Sequence, residues 1–324
     1  MKIFSGSSNL PLAKAINQQI IQRIIEEGVR NGQLFDLKNL LGEVELHRFP
    51  DGEVHVRFCE NIRGEDIYLI QSTNSPVNDN LMELLIMVDA AKRASAERIT
   101  AVMPFFGYAR QDRKEKSRVP ITAKLVANIL TAAGVDRILA MDLHSPQIEG
   151  FFDIPVDHLQ AIPVFMKEVK FLTNLENIVS VAPDVGRIKV AVQYAKQFGC
   201  QFAMVAKDRI DDKTVESNTL VGDVDGKTAI LIDDMSSTGG TLIAAAALLK
   251  KRGAKKVIAG VTHNLLTNKA WAKIDADPNI DLLMVTDTVD GSTGMKTMKV
   301  SVASLFAQAI MAINSNQSVS HLLS

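Results

Sequence analysis

Asp233 and Asp234 stand side by side, and Ser236-Ser237-Thr238-Gly239-Gly240-Thr241 follows them. Ionised carboxylates accept hydrogen bonds from vicinal hydroxyls, so the pair suits a polyhydroxylated ligand such as a pentose. A small, glycine-bearing loop lets the backbone approach a ligand closely. Residues 228–232 form a short apolar run, long enough for a strand buried on both faces and too short for a helix; the two acids should end it. A helix then runs through Leu242, Ala245, Leu248 and Leu249, with Lys250, Lys251 and Arg252 in its last turn and Gly253 at C′. Its N-terminus offers free N–H groups and the positive dipole end to an anion, and the hydroxyls of Ser237, Thr238 and Thr241 add donors. Pentose at the acids and phosphate at the loop is the chemistry this spacing supports. Taken alone, the same residues also fit a capped turn with two solvated acids. Just upstream, residues 222–228 (GDVDGKT) imitate a phosphate-binding Walker loop. Only three residues separate the glycines, and the stretch precedes its strand, so it reads as a turn.

Other polar clusters also fall at the ends of apolar runs. Asp51-Gly52 is a hairpin-turn dipeptide, and beyond it Val54, Val56 and Phe58 alternate with His55 and Arg57. Phe49 at the tip could stack on a base, and Asp51 or Glu53 could accept from an exocyclic amine; a plain structural hairpin fits as well. After the run 99–103 comes PFFGYARQDRKEKSR, where Arg110 and Arg113 could clamp a polyphosphate bidentately. A solvated charge run is the alternative. His144 follows Asp142 at the end of the run 137–141, and Asp184 follows the run 177–181. Asp184 is a candidate for Mg²⁺, directly or through water; a single imidazole would be a minor partner for that ion. Lys207-Asp208-Arg209 places two basic side chains on one side if the chain stays extended.

The elements that must position these groups alternate along the chain. Strands are expected over 2–4, 66–71, 99–103, 137–141, 177–181, 201–206, 228–232, 258–262 and 280–285. Helices are expected after an Asn9 cap, over 80–95, 120–133 and 188–198, and finally over 303–314. Residues 31–39 show no clear period, and His263 lies at a strand end without an assigned role. The expected fold class is α/β, with mainly parallel sheets flanked by helices. Two halves divide near Pro155, giving domains over 1–155 and 156–324.

Composition bounds the function. The 324 residues suffice for two domains, and 47% are apolar. A net charge of −1 argues against a broad nucleic-acid footprint. Cys59 and Cys200 form neither a disulfide framework nor a zinc motif, which fits a reducing cytoplasm. The N-terminus lacks a signal-peptide core, and no apolar run approaches the roughly 18 residues of a membrane span.

The loop DDMSSTGGT resembles the phosphoribosyl-pyrophosphate (PRPP) loop of phosphoribosyltransferases and PRPP synthetases. FPDGE, LMELLIMVDAAKRASA, FGYARQDRK, SRVPITAKL, DLHSPQIEGFFDIPVDHL and ILIDDMSSTGGT together resemble the ribose-phosphate pyrophosphokinase family over nearly the whole chain. The resemblance implies two phosphoribosyltransferase-like domains and diphosphoryl transfer from Mg-ATP to ribose 5-phosphate, giving PRPP and AMP for nucleotide biosynthesis. It implies ATP contacts at Arg110 and Gln111, with adenine held by Phe49, Asp51, Gly52 and Glu53 across a subunit interface. It implies that His144 and Asp184 serve the Mg²⁺ site, and that Lys207 and Arg209 belong to a catalytic loop. Ribose 5-phosphate is expected at Arg209, Asp233, Asp234, Ser237, Thr238, Gly239, Gly240 and Thr241. The implied partners are ATP, ribose 5-phosphate and further copies of the chain, as a hexamer in the cytoplasm, with no nucleic acid or membrane. A non-catalytic regulatory homologue and a phosphoribosyltransferase are the competing readings. Four departures stand out: a longer stretch around 26–39, IDDKTVES after Arg209, Ser236-Ser237 where many members carry Ile-Asp, and Arg187 where a second glycine is common.

Overall fold

The computed structural model describes residues 1–30, 39–173, 177–208 and 217–322. Most of the aperiodic stretch 31–39, and Arg209, lie outside them. The chain forms two compact units, one of 1–160, 288–290 and 301–324, the other of 161–287 and 291–300.

The first unit opens with β1 (Lys2–Ser5), followed by α1 (Leu10–Arg30). Asn9 starts that helix as expected, its Oδ1 accepting from the Leu12 N–H at 3.2 Å. The hairpin β2 (Val44–Arg48) and β3 (Val54–Phe58) comes next, then β4 (Asp66–Ile70), α2 (Val77–Arg93) and β5 (Arg98–Met103). α3 (Thr122–Ala133), β6 (Arg137–Met141) and β7 (Val156–Leu159) follow. The main sheet has the order β1-β4-β5-β6-β7, and every pair in it is parallel. β7 lies beyond the expected division at Pro155, because Val156–Leu159 pairs with Ile138–Met141.

The second unit contains α4 (Ile162–Leu172), β8 (Ile178–Ala182), α5 (Ile188–Phe198), β9 (Gln201–Asp208) and β10 (Ser217–Val221). It continues through β11 (Thr228–Ser236), α6 (Gly240–Lys251), β12 (Lys256–Asn264), α7 (Asn268–Ala276), β13 (Leu282–Thr286) and β14 (Thr297–Val300). Its seven strands run β10-β9-β8-β11-β12-β13-β14, parallel except at the β9–β10 edge. Parallel strands covered on both faces read as continuous apolar runs, which is why 228–232 and 258–262 were legible. On one face Leu242, Ala245, Ala246 and Leu249 of α6 and Trp271 and Ile274 of α7 pack on Val179, Leu231, Val257 and Ala259.

The last helix, α8 (Ala303–Asn314), belongs to the first unit, although the expected C-terminal domain ran to 324. It packs along α1, burying Phe306, Ile310 and Ile313. No helix among the described residues is long and apolar enough to cross a membrane.

Candidate active site

β11 runs four residues further than its apolar core predicts. Asp233 pairs with Val261, Met235 with His263 and Ser236 with Asn264, so the acids lie within the ladder and do not end it. Polar residues are tolerated there because β12 supplies the backbone partners. Asp233 Oδ1 accepts the N–H of Asp234 at 2.9 Å, and Asp234 Oδ1 accepts the N–H of Met235 at 2.8 Å. Each carboxylate is thereby folded forward along the chain. Arg187, at the start of α5, reaches both: its Nε lies 3.0 Å from Asp233 Oδ1 and its Nη2 contacts Asp234 Oδ1. Burial pushes the Asp233 carboxyl up, to about 8; the charge of Asp234 adds to the rise, Arg187 opposes it, and Asp184 contributes a further rise. Sequence reasoning placed Arg187 only as a departure from the family pattern. Its partnership with acids 46 and 47 positions away in the chain has no local signal.

The loop after the acids turns through Gly239 at φ 72°, the left-handed region that glycine enters without a Cβ penalty. A Cβ there would also meet Ile274 at 3.0 Å. α6 begins at Gly240, and Thr238 and Gly240 at its mouth are exposed, with Ser237 and Thr241 half-buried. The loop is tied down from the segment between β12 and α7: Leu265 N–H donates to the Ser236 carbonyl at 3.1 Å and Thr267 N–H to that of Ser237 at 3.4 Å. Ser237, Thr238, Gly239, Gly240 and Thr241 thus form one anion-receptive turn next to the acid pair. At the other end Gly253 has φ 91°, the predicted C′ conformation. The 222–228 decoy is a turn, with Lys227 donating to Asp223 at 2.8 Å and Gln201 at 2.9 Å.

Asp184 precedes the single turn of 3₁₀ helix Val185–Arg187 that leads into α5, so it stands near the acid pair. Lys207 lies on β9 opposite Asn218 of β10. Its side chain, and Arg209, lie outside the described part of the structure.

The first unit carries the other candidates. Phe49 N–H donates to Glu53 at 2.8 Å, closing a five-residue tip, and Glu53 N–H donates to Asp51 Oδ1 at 3.1 Å. Gly52 takes φ 95° in that turn. Phe49, Asp51, Gly52 and Glu53 are all exposed, and Phe49 keeps 45% of its surface in solvent. The ring of Phe49 packs edge-on against His47 and His55. Asp51-Gly52 lies in the turn of the expected hairpin, and the rings and the Asp51 contact support its five-residue tip.

Arg110 and Gln111 are exposed within the loop between β5 and α3. Thr122 at the start of α3 donates to the Gln111 side chain, and the Ala123 N–H donates to its carbonyl at 3.1 Å. The buried Asp112 accepts from Ser145 and, at 3.1 Å, from Gln147. That carboxylate joins the Arg110–Gln111 segment to the loop carrying His144, a link that sequence spacing does not disclose. His144 belongs to the first unit and Asp184 to the second. Among the described residues no group of three His, Cys, Asp or Glu side chains is arranged to hold a metal ion.

Known proteins are similar to this chain over nearly its whole length. Residues 1–134 match the N-terminal domain of ribose phosphate pyrophosphokinase, and residues 201–324 the phosphoribosyl synthetase-associated domain. Ribose-phosphate pyrophosphokinase of Fusobacterium nucleatum is 46% identical over 99% of this chain and 98% of its own length. That of Thermotoga maritima is 45% identical over 99% and 98%. The crystal structure of phosphoribosylpyrophosphate synthetase from Mycobacterium smegmatis superposes with a TM-score of 0.86 at 38% identity, covering 97% of this chain and 99% of that one. Near-full-length identity at this level means that the chain belongs to the ribose-phosphate pyrophosphokinase family.

Proposed function

We propose that the chain is a ribose-phosphate diphosphokinase, converting ATP and ribose 5-phosphate to PRPP and AMP for nucleotide biosynthesis in the cytoplasm. The observation that carries this reading is the juxtaposition, in a chain of this family, of the Asp233–Asp234 pair with the Gly239 turn at the mouth of α6. Carboxylates facing vicinal hydroxyls and a helix N-terminus facing a phosphate match the two ends of ribose 5-phosphate. Asp233 and Asp234 hold the ribose hydroxyls, and Ser237, Thr238, Gly239, Gly240 and Thr241 hold the 5-phosphate.

In the reaction the anomeric hydroxyl oxygen of ribose 5-phosphate attacks the β-phosphorus of ATP. The O1–Pβ bond forms, the bond from Pβ to the α,β-bridging oxygen breaks, AMP leaves and the hydroxyl proton passes to solvent. Positioning and charge neutralisation supply most of the acceleration in such transfers. Lys207 and Arg209 neutralise charge on the transferring group. Arg110 and Gln111 contact the ATP, and Phe49, Asp51, Gly52 and Glu53 hold adenine from a neighbouring subunit of a hexamer. The exposure of that hairpin tip in a single chain supports a role outside its own fold.

The donor set fits magnesium arriving on the nucleotide, since Asp184 offers a hard oxygen. Asp184 and His144 would hold it, and when bound it would neutralise the phosphate oxygens. Incubation with ATP, ribose 5-phosphate and Mg²⁺ tests the proposal: AMP and PRPP should form in equal amounts without any nucleobase. A requirement for a nucleobase would indicate a phosphoribosyltransferase, and absence of turnover a regulatory homologue.

A further inference from the structure

We infer that Arg187 is the resident cation of the pentose subsite: it holds Asp233 and Asp234 in a fixed arrangement and takes the place a divalent cation would otherwise occupy beside them. The inference rests on the assignment of those acids to the ribose hydroxyls.

The geometry is unusual for two successive strand residues, whose side chains ordinarily point to opposite faces. Here both bend forward onto the next backbone N–H, and one guanidinium spans their Oδ1 atoms. All three side chains are nearly enclosed, with 12% of Arg187, 13% of Asp233 and 6% of Asp234 exposed. Adjacent buried carboxylates repel, and a cation bridging them offsets that repulsion and fixes where their oxygens point. A guanidinium is always charged, and its planar fork matches two carboxylate oxygens. It engages the Oδ1 oxygens that backbone N–H groups already fix, so it adds to the orientation those bonds impose. Arg187 is itself placed by its own backbone, whose N–H donates to the Asp184 carbonyl at 3.2 Å in the turn before α5. A lysine could supply the charge but not the fork.

Arg187 is therefore a positioning residue, acting on substrate through the acids. Arg187→Gln removes the charge while keeping a shorter polar side chain, and Arg187→Gly removes the whole side chain. In wild type the KM for ribose 5-phosphate should not respond to free Mg²⁺ beyond that needed to complex ATP. In both variants it should rise about tenfold or more, with the KM for ATP unchanged, and should fall again as free Mg²⁺ is raised to millimolar levels. Arg187→Lys should recover part of the loss. A second readout needs no turnover. Mn²⁺ binding followed by electron paramagnetic resonance should show one additional site in Arg187→Gln, abolished in Arg187→Gln/Asp234→Asn. An unchanged or lowered KM for ribose 5-phosphate in the variants, or a raised KM with no additional Mn²⁺ site, would overturn the inference. Failure of wild type to turn over ATP and ribose 5-phosphate would instead sink the underlying assignment, while the Mn²⁺ titration would still decide whether Arg187 stands where a divalent ion would bind.

Discussion

His158 Nε2 accepts the backbone N–H of Leu143 at 2.8 Å, and its Nδ1 lies 2.7 Å from Glu149 Oε1. An accepting Nε2 puts the proton on Nδ1, so Glu149 fixes the tautomer that supports the loop. His158 is on β7 and Leu143 immediately precedes His144, so β7 holds the segment that presents His144. His158→Phe keeps the bulk and orphans the Leu143 N–H. A lost hydrogen bond of this kind is worth about 0.5–1.5 kcal/mol, or up to about tenfold in kcat/KM for ATP. His158→Gln, which retains an acceptor, should recover much of it. Steady-state kinetics of the two variants check this, and equal losses in both would separate His158 from the loop.

Lys207→Ala should lower kcat by on the order of 10²-fold or more, with small changes in either KM. The reason is that charge neutralisation acts on the transferring group and not on bound substrates. The thermal midpoint should stay within a few degrees of wild type. Rapid-quench measurement of AMP formation checks the prediction, and an unchanged rate would remove Lys207 from the chemistry.

Asp66 gives the stability a defined pH dependence. Burial by itself raises the carboxyl, but hydrogen bonds from Arg98, Asn314 and Tyr68 outweigh it and the net shift is downward. Arg98 Nε donates at 2.9 Å and Asn314 Nδ2 at 3.0 Å. A carboxyl lowered in the folded state stabilises it fully above the unfolded value, about 3.9, and that contribution disappears as pH falls through the folded value. Asp66→Asn should therefore be less stable than wild type at pH 7, and the gap should narrow below about pH 4. Urea titrations at pH 7 and pH 3 measure it.

What could be read in the sequence divides along physical lines. Runs such as 228–232 and 99–103 are buried on both faces and announce themselves, as does the Asn9 cap. β7 did not, because Val156-Asp157-His158-Leu159 is short and half polar, and its identity as a strand comes from pairing with β6. The extension of β11 through Asp233 and Asp234 depends likewise on β12. The glycine turn was legible because only certain residue types adopt its backbone. The bridging of the acids by Arg187 and the link from Asp112 to Ser145 join distant segments, and no local pattern encodes them.

The return of α8 to the first unit predicts how fragments behave. Its helical pattern was legible, but its partner was not: it covers α1, and its end supplies the Ile313 carbonyl to Arg98 at 3.2 Å and Asn314 to Asp66. Burying Phe306, Ile310 and Ile313 is worth about 1.5–3 kcal/mol each, comparable in sum with the roughly 5–15 kcal/mol stability of a whole domain. A chain truncated after residue 300 should therefore fail to give a cooperative unfolding transition for the first unit. Circular dichroism melts of the truncated and full chains test this; an unchanged transition would show α8 to be dispensable.

Gly239→Ala separates the phosphate turn from the acid pair. The substitution asks an L-residue to hold φ near 72°, at a cost of about 1–2 kcal/mol, and sets its Cβ 3.0 Å from Ile274 in the α7 face of the core. Two responses are open to the chain. If the backbone holds, the stability falls by that amount and the turn survives. If the backbone relaxes, the strain is relieved by rotating the N–H groups at the mouth of α6 away from a shared anion. The second should dominate, because the exposed residues Thr238 and Gly240 can move more cheaply than a buried Ile274 can. The expected result is a KM for ribose 5-phosphate raised at least tenfold with a thermal midpoint close to wild type, and competition by inorganic phosphate weakened in parallel. A lowered midpoint with normal phosphate competition would mean instead that the turn holds its shape and the core yields.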